Sequence, residues 1–183
     1  MGFLDNLKDS PQNSGSGGGK YMKLTQGANQ FRIVGSFGEG TNIQGMIGWG
    51  EDEEGNRKPY RWRIGEEAPR NFAEKIKEFY AMLVWNYSEE CLQVLELTQS
   101  KLRQELLTLA RDEEWGDPRT YDLKIVRNGE GLETTYAMQP SPKKKRSDEI
   151  NNAVKSTVVD MSALYRGEDP FIGELTEKEE DPF

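Results

Sequence analysis

The chain contains no histidine, and its one cysteine is Cys91. Without histidine there is no Ser–His or Cys–His nucleophilic pair, and a lone cysteine supplies neither an intramolecular disulfide nor a zinc finger. Long apolar runs are missing as well. None approaches the roughly 18 residues that a membrane span requires, and the first residues lack both a basic stretch and an apolar one of the export type. Met1-Gly2-Phe3-Leu4-Asp5-Asn6 puts Asn6 where a myristoylation signal has Ser or Thr. These absences lead to the expectation of a soluble protein in a reducing cytoplasm, with no lipid anchor. Apolar residues make up only 34% of the 183, which allows one domain with a modest core. Aromatic residues are 10%, so rings form almost a third of that apolar inventory.

Charge is unevenly placed. The formal net charge is −8, of which −6 belongs to residues 168–183, while residues 20–146 hold equal numbers of basic and acidic groups. The body is therefore neutral, with its Lys and Arg free to cluster locally. Residues 10–19 contain no apolar side chain and read as a Gly/Ser linker behind a short N-terminal segment. Their glycines are not a phosphate loop, because Ser14 and Tyr21 stand where the first glycine and the magnesium-binding hydroxyl would be. The expected divisions are a flexible segment 1–19, a folded domain 20–146, an amphipathic helix 147–167 and a disordered acidic tail 168–183. The proline pair Pro140 and Pro142 marks the expected end of the last strand.

Within the domain, β patterns dominate. Short strands are predicted at 31–36, 43–49 and 58–64, a hairpin at 79–87 and 91–98, and a second at 121–127 and 132–138 around Asn128-Gly129-Glu130-Gly131. Leu102, Leu106, Leu109 and Ala110 recur at helical spacing, predicting a helix over 99–113 capped by Thr98 or Ser100. A smaller helix is predicted at 69–78, with Phe72 and Ile76 on one face. The fold class is thus mainly β: a five-stranded OB-type Greek-key barrel with a helix between strands 3 and 4. Beyond it, Ile150, Val154, Val158, Met161 and Tyr165 form a helical stripe from the cap Ser147 to the stop Gly167.

Fourteen of the eighteen aromatics lie within 20–146, most densely beside basic residues in Arg57-Lys58-Pro59-Tyr60-Arg61-Trp62-Arg63. On a strand, Tyr60 and Trp62 share one face and Arg61 and Arg63 the other. Such a strand can lay rings on unstacked bases and cations on phosphates. It equally fits a strand with a buried aromatic face and a solvated charged one. Trp49, Trp85 and Tyr87 extend the set, as do Arg32, Lys124, Arg127 and Tyr136 on neighbouring strands. Trp115 reads as a plug at the bottom of the barrel. Lys143-Lys144-Lys145-Arg146 reads as a solvated linker or a hinge touching phosphates. Acid clusters such as Glu51-Asp52-Glu53-Glu54 show no partnered base or metal spacing, so catalysis is not expected. The chain ends Glu179-Glu180-Asp181-Pro182-Phe183, an acidic segment closed by a ring with its own carboxylate, suited to an apolar pocket beside a basic residue. Glu168-Asp169-Pro170-Phe171 repeats that pattern internally.

Phe31-Arg32-Ile33, Val84-Trp85-Asn86-Tyr87, Leu95-Glu96-Leu97-Thr98-Gln99, Trp115-Gly116-Asp117-Pro118 and Arg127-Asn128-Gly129-Glu130-Gly131-Leu132 follow one another in this order. Together they resemble bacteriophage single-stranded DNA-binding proteins built on an OB fold. The tail is similar to that of bacterial single-stranded DNA-binding proteins, with Asp181 where those have Ile. The resemblance implies a non-enzymatic protein that coats single-stranded DNA in phage replication and recombination, within the cytoplasm of a bacterial host. It implies tail-mediated contact with replication and recombination proteins such as a polymerase or helicase. Some phage members carry zinc; with neither histidine nor a second cysteine, this chain is expected to be metal-free and to need no cofactor. Two other classes stay open, an OB-type protein-binding adaptor and a small nuclease, as does self-association. The adaptor reading predicts that Tyr60, Trp62 and Trp85 are all buried.

Overall fold

The computed structural model describes residues 20–37 and 41–174. Residues 1–19, 38–40 and 175–183, including Glu179, Glu180, Asp181, Pro182 and Phe183, lie outside the described residues. The chain is mainly β. Strands β1 (Gly27–Ile33), β2 (Ile43–Glu51), β3 (Arg57–Arg63), β4 (Lys77–Asn86), β5 (Cys91–Leu97), β6 (Tyr121–Asn128) and β7 (Thr135–Lys143) form one antiparallel sheet. Its order is β3-β2-β4-β1-β6-β7, with β5 on the other edge of β4.

β4 organises the sheet because it is apolar on both faces; every residue from Phe79 to Asn86 is buried. Tyr80–Asn86 pair with β5 along one edge. The opposite edge is shared, with β2 against its first half and β1 against its end. Alternation along β4 then sends side chains into two cores. Tyr80, Met82 and Val84 join Phe31, Leu97, Leu123 and Ile125 under the helix α1 (Ser100–Arg111), whose Leu102 and Leu106 are buried. Phe79, Ala81 and Leu83 join Ile47 and Val94 on the other face, beneath Met161 and Leu164 of the C-terminal segment.

That segment answers where the expected 147–167 helix lies, and corrects its form. Ser147 does cap a helix, accepting from the Ile150 backbone N–H at 3.3 Å, but α2 (Asp148–Ser156) stops at Ser156. Thr157-Val158-Val159 is a β-branched run that favours extended backbone, and it becomes β8 (Thr157–Val159), paired with β9 (Phe171–Glu174). A 3-10 turn over Met161–Arg166 follows and ends at left-handed Gly167. The inner Glu-Asp-Pro-Phe copy is docked here: Phe171 packs on the second core, and Asp169 pairs with Lys20 at 2.8 Å.

Four further expectations change. The sheet does not close as a five-stranded barrel, since both of its faces carry a core and β3 and β7 end it without pairing to each other. The predicted helix at 69–78 is absent, because Phe72 packs against Trp62 and draws the segment across β2 and β3. β7 runs through Pro140 and Pro142 to Lys143, which its edge position tolerates because one row of its N–H groups faces away from the ladder. Finally, α1 has Gln99 at its N-cap position with no side-chain hydrogen bond, so neither Thr98 nor Ser100 serves as the cap. Among the described residues no helix is long and apolar enough to cross a membrane.

Candidate nucleic-acid interface

The β2–β3 hairpin builds the densest group of rings and cations, and its sequence explains how. Register sets Gly48 opposite Tyr60, Gly50 opposite Lys58 and Met46 opposite Trp62. Gly48 and Gly50 leave a trough beside the rings of β3. The loop between β3 and β4 fills it: a Cβ on Gly48 would sit 2.9 Å from the Phe72 ring, and one on Gly50 would sit 3.4 Å from the Arg70 guanidinium. Phe72 stacks on Trp62 with centroids 5.5 Å apart and planes 3° apart, and lies 5.9 Å from Tyr60. Arg70 stands 5.2 Å over Tyr60 and donates to the Glu51 carbonyl at 2.6 Å; Lys58 Nζ is 5.0 Å from the same ring. The loop is tied to β3 by the Arg57–Glu74 ion pair. A Gly48→Ala substitution is expected to push Phe72 off Trp62 and cost about 1–3 kcal/mol, measurable by chemical denaturation followed by tryptophan emission.

Tyr60 and Phe72 remain half-buried while Lys58 and Arg70 are exposed, and neither cation forms an ion pair among the described residues. Ring faces flanked by such cations can stack bases and hold phosphates together. The opposite face of the hairpin is occupied. Arg61 is buried and bonds Glu96 of β5 at 2.7 Å, and that carboxylate keeps its guanidinium protonated against the cost of burial. Arg63 lies 4.4 Å over Tyr165 of the C-terminal segment. Arg57 stands 4.9 Å over half-buried Trp49. Sequence reasoning missed Phe72 and Arg70 as site residues because the trough that receives them exists only once β2 and β3 pair.

The other predicted residues lie elsewhere. Arg32 is 1% exposed and is corrected to a structural role: Nε donates to the Arg119 carbonyl at 3.0 Å, Nη1 to Asp122 at 2.9 Å and Nη2 to the Lys144 carbonyl. Trp85, read from the sequence as one of the base-facing rings, is 4% exposed and is corrected to the interior, because β4 is apolar on both faces and both are covered. Trp62, at 7%, is covered by Phe72 and offers little free face. Tyr87 donates to Asp122 at 2.7 Å; burial and that carboxylate push its hydroxyl up to about 12. Lys124 is half-buried in β6. Arg127 donates to the Leu24 carbonyl at 2.7 Å, and Tyr136 packs against the first core. Trp115 also packs on that core, edge-on to Tyr121 at 5.3 Å. Among the described residues no group of three or more Cys, Asp or Glu is arranged to hold a metal ion. Comparison of the chain with protein-family models, curated proteins and solved structures returns no match.

Proposed function

We propose that this chain is a non-enzymatic, sequence-tolerant single-stranded DNA-binding protein that coats and protects single strands during phage replication and recombination in a bacterial host's cytoplasm. The observation that carries the reading is the β2–β3 band, in which half-exposed Tyr60 and Phe72 are flanked by Lys58 and Arg70. Its chemistry needs only a π face and a phosphate, which every nucleotide has. An OB-type framework suits the strand order: β4 and β5 are consecutive, α1 follows them, and β6 returns beside β1 with β7 outside it. The tail residues Glu179 to Phe183 would recruit a polymerase, helicase or recombination protein.

One observation favours the adaptor reading: Trp62 and Trp85 are both buried. Tyr60 is not. Fluorescence separates the two. Trp62, stacked on Phe72, is the tryptophan that reports on the band, whereas Trp49 faces the other side of the hairpin with Arg57 and Trp115 packs on the first core. Titration with oligo-dT at low salt is expected to quench tryptophan emission, added salt to reverse it, and Trp62→Phe to remove most of the signal. No response to oligo-dT, with no gel shift, would reject DNA coating and leave the adaptor.

A further inference from the structure

A second basic feature lies on the other side of the fold. An open cleft of about 560 Å³ is lined by Arg32, Arg119, Lys143, Lys144, Lys145 and Arg146, with Thr120 and Asn151. We infer that this cleft is a phosphate-backbone site separate from the ring-bearing hairpin, so that a bound single strand has a base-stacking zone and a distinct phosphate-holding zone. The inference rests on the proposed function.

Three observations support it. First, the lining has no acidic and no apolar residue. A sugar–phosphate chain asks only for charge and hydrogen-bond donors, and this lining supplies both. Second, the charges are unequally committed. Arg119 pairs with Asp117 at 2.8 Å and Lys144 with Asp122 at 3.1 Å, while Lys143, Lys145 and Arg146 form no ion pair among the described residues. Asp148 and Glu149, at the start of α2, follow closely in the chain but do not line the cleft. Third, the floor is fixed from within. Arg32 bonds the carbonyls of both Arg119 and Lys144, and the Lys144 N–H bonds the Thr120 carbonyl at 3.1 Å. One buried guanidinium thus holds together the two segments that present the surface cations. It is a positioning residue, with no free donor face of its own.

The distance between zones makes the inference testable. The hairpin is at one end of the strand order and β6–β7 at the other, several strand spacings of about 4.8 Å apart. A short strand reaches one zone; a longer one reaches both. The test is the triple variant Lys143→Ala, Lys145→Ala, Arg146→Ala, with Lys143 and Lys145 exposed and Arg146 half-buried, first checked for an unchanged melting curve. Binding of oligo-dT of about 4 and about 16 nucleotides is then followed across a salt series. The expected result is a log affinity against log salt slope shallower by roughly 2 for the longer oligomer, at about 0.7 for each phosphate no longer neutralised, with a smaller deficit for the shorter one. An unchanged slope in a variant whose parent binds oligo-dT overturns the cleft alone. Equal reductions for duplex and single strand overturn its assignment to single strands. A parent protein that binds no oligo-dT overturns the proposed function and this inference with it.

Discussion

Replacing Arg32 by Leu is expected to destabilise the protein by about 3–5 kcal/mol, the range for removing one partner of a buried ion pair. The reason is what stays behind. Asp122 is 0% exposed and takes hydrogen bonds from Arg32, Tyr87 and Gln30, with Lys144 alongside. Burial alone would raise its pKa; the bonds from Tyr87, Lys144 and Arg32 outweigh that and hold it below the ordinary carboxylate value. A carboxyl depressed in this way contributes stability above its unfolded pKa of about 3.9, and the contribution fades as pH falls through the folded value. In Arg32→Leu the carboxyl is deprived of its buried partner and its pKa climbs, so protonation relieves the penalty. Urea unfolding should therefore show a deficit near its maximum at pH 7 that narrows toward pH 4. A deficit independent of pH would mean that poorer packing, not the orphaned charge, dominates.

Replacing Tyr60 by Ala is expected to weaken oligo-dT binding by about 1–3 kcal/mol, roughly five- to 150-fold, the cost of removing one stacking surface. Tyr60 suits the test because it is half-exposed; its hydroxyl donates only marginally to the Glu51 carbonyl at 3.5 Å and accepts from Arg70 Nη1 at 3.2 Å. Tyr60→Phe keeps the ring and should keep most of the affinity. The weakening should appear as a shift at every salt concentration with the slope little changed, because the ring neutralises no phosphate. Equal affinities for Tyr60→Ala and the parent would remove the hairpin from the interface.

Runs of strand-forming residues bounded by turn residues made the hairpins legible in the sequence. β4–β5 and β6–β7 follow from long runs broken at Ser88-Glu89-Glu90 and Asn128-Gly129, and at Gly129 a Cβ would sit 2.4 Å from the Glu133 carbonyl oxygen. Leu102 and Leu106 likewise marked the buried stripe of α1. β1 begins earlier than its apolar residues suggest, because Asn29 is buried by bonding Thr25 and the Ile125 carbonyl. A polar residue with partners distant in sequence resembles a loop residue until those partners are known. The same holds for Arg32. From the sequence it is a cation beside a ring; only the approach of 119 and 144 makes it a buried clamp. Conversely, 69–78 and 157–159 show tertiary packing and strand pairing prevailing over a helical spacing that is real but short.

The Lys20–Asp169 ion pair also fixes where the remaining chain departs. Lys20 is the first residue of the described fold, and Asp169 lies just before β9, the last strand. The two ends of the fold are joined at one patch. An exposed pair of this kind is worth at most about 1 kcal/mol, so its consequence is geometric: the described fold opens and closes close to a single point of its surface.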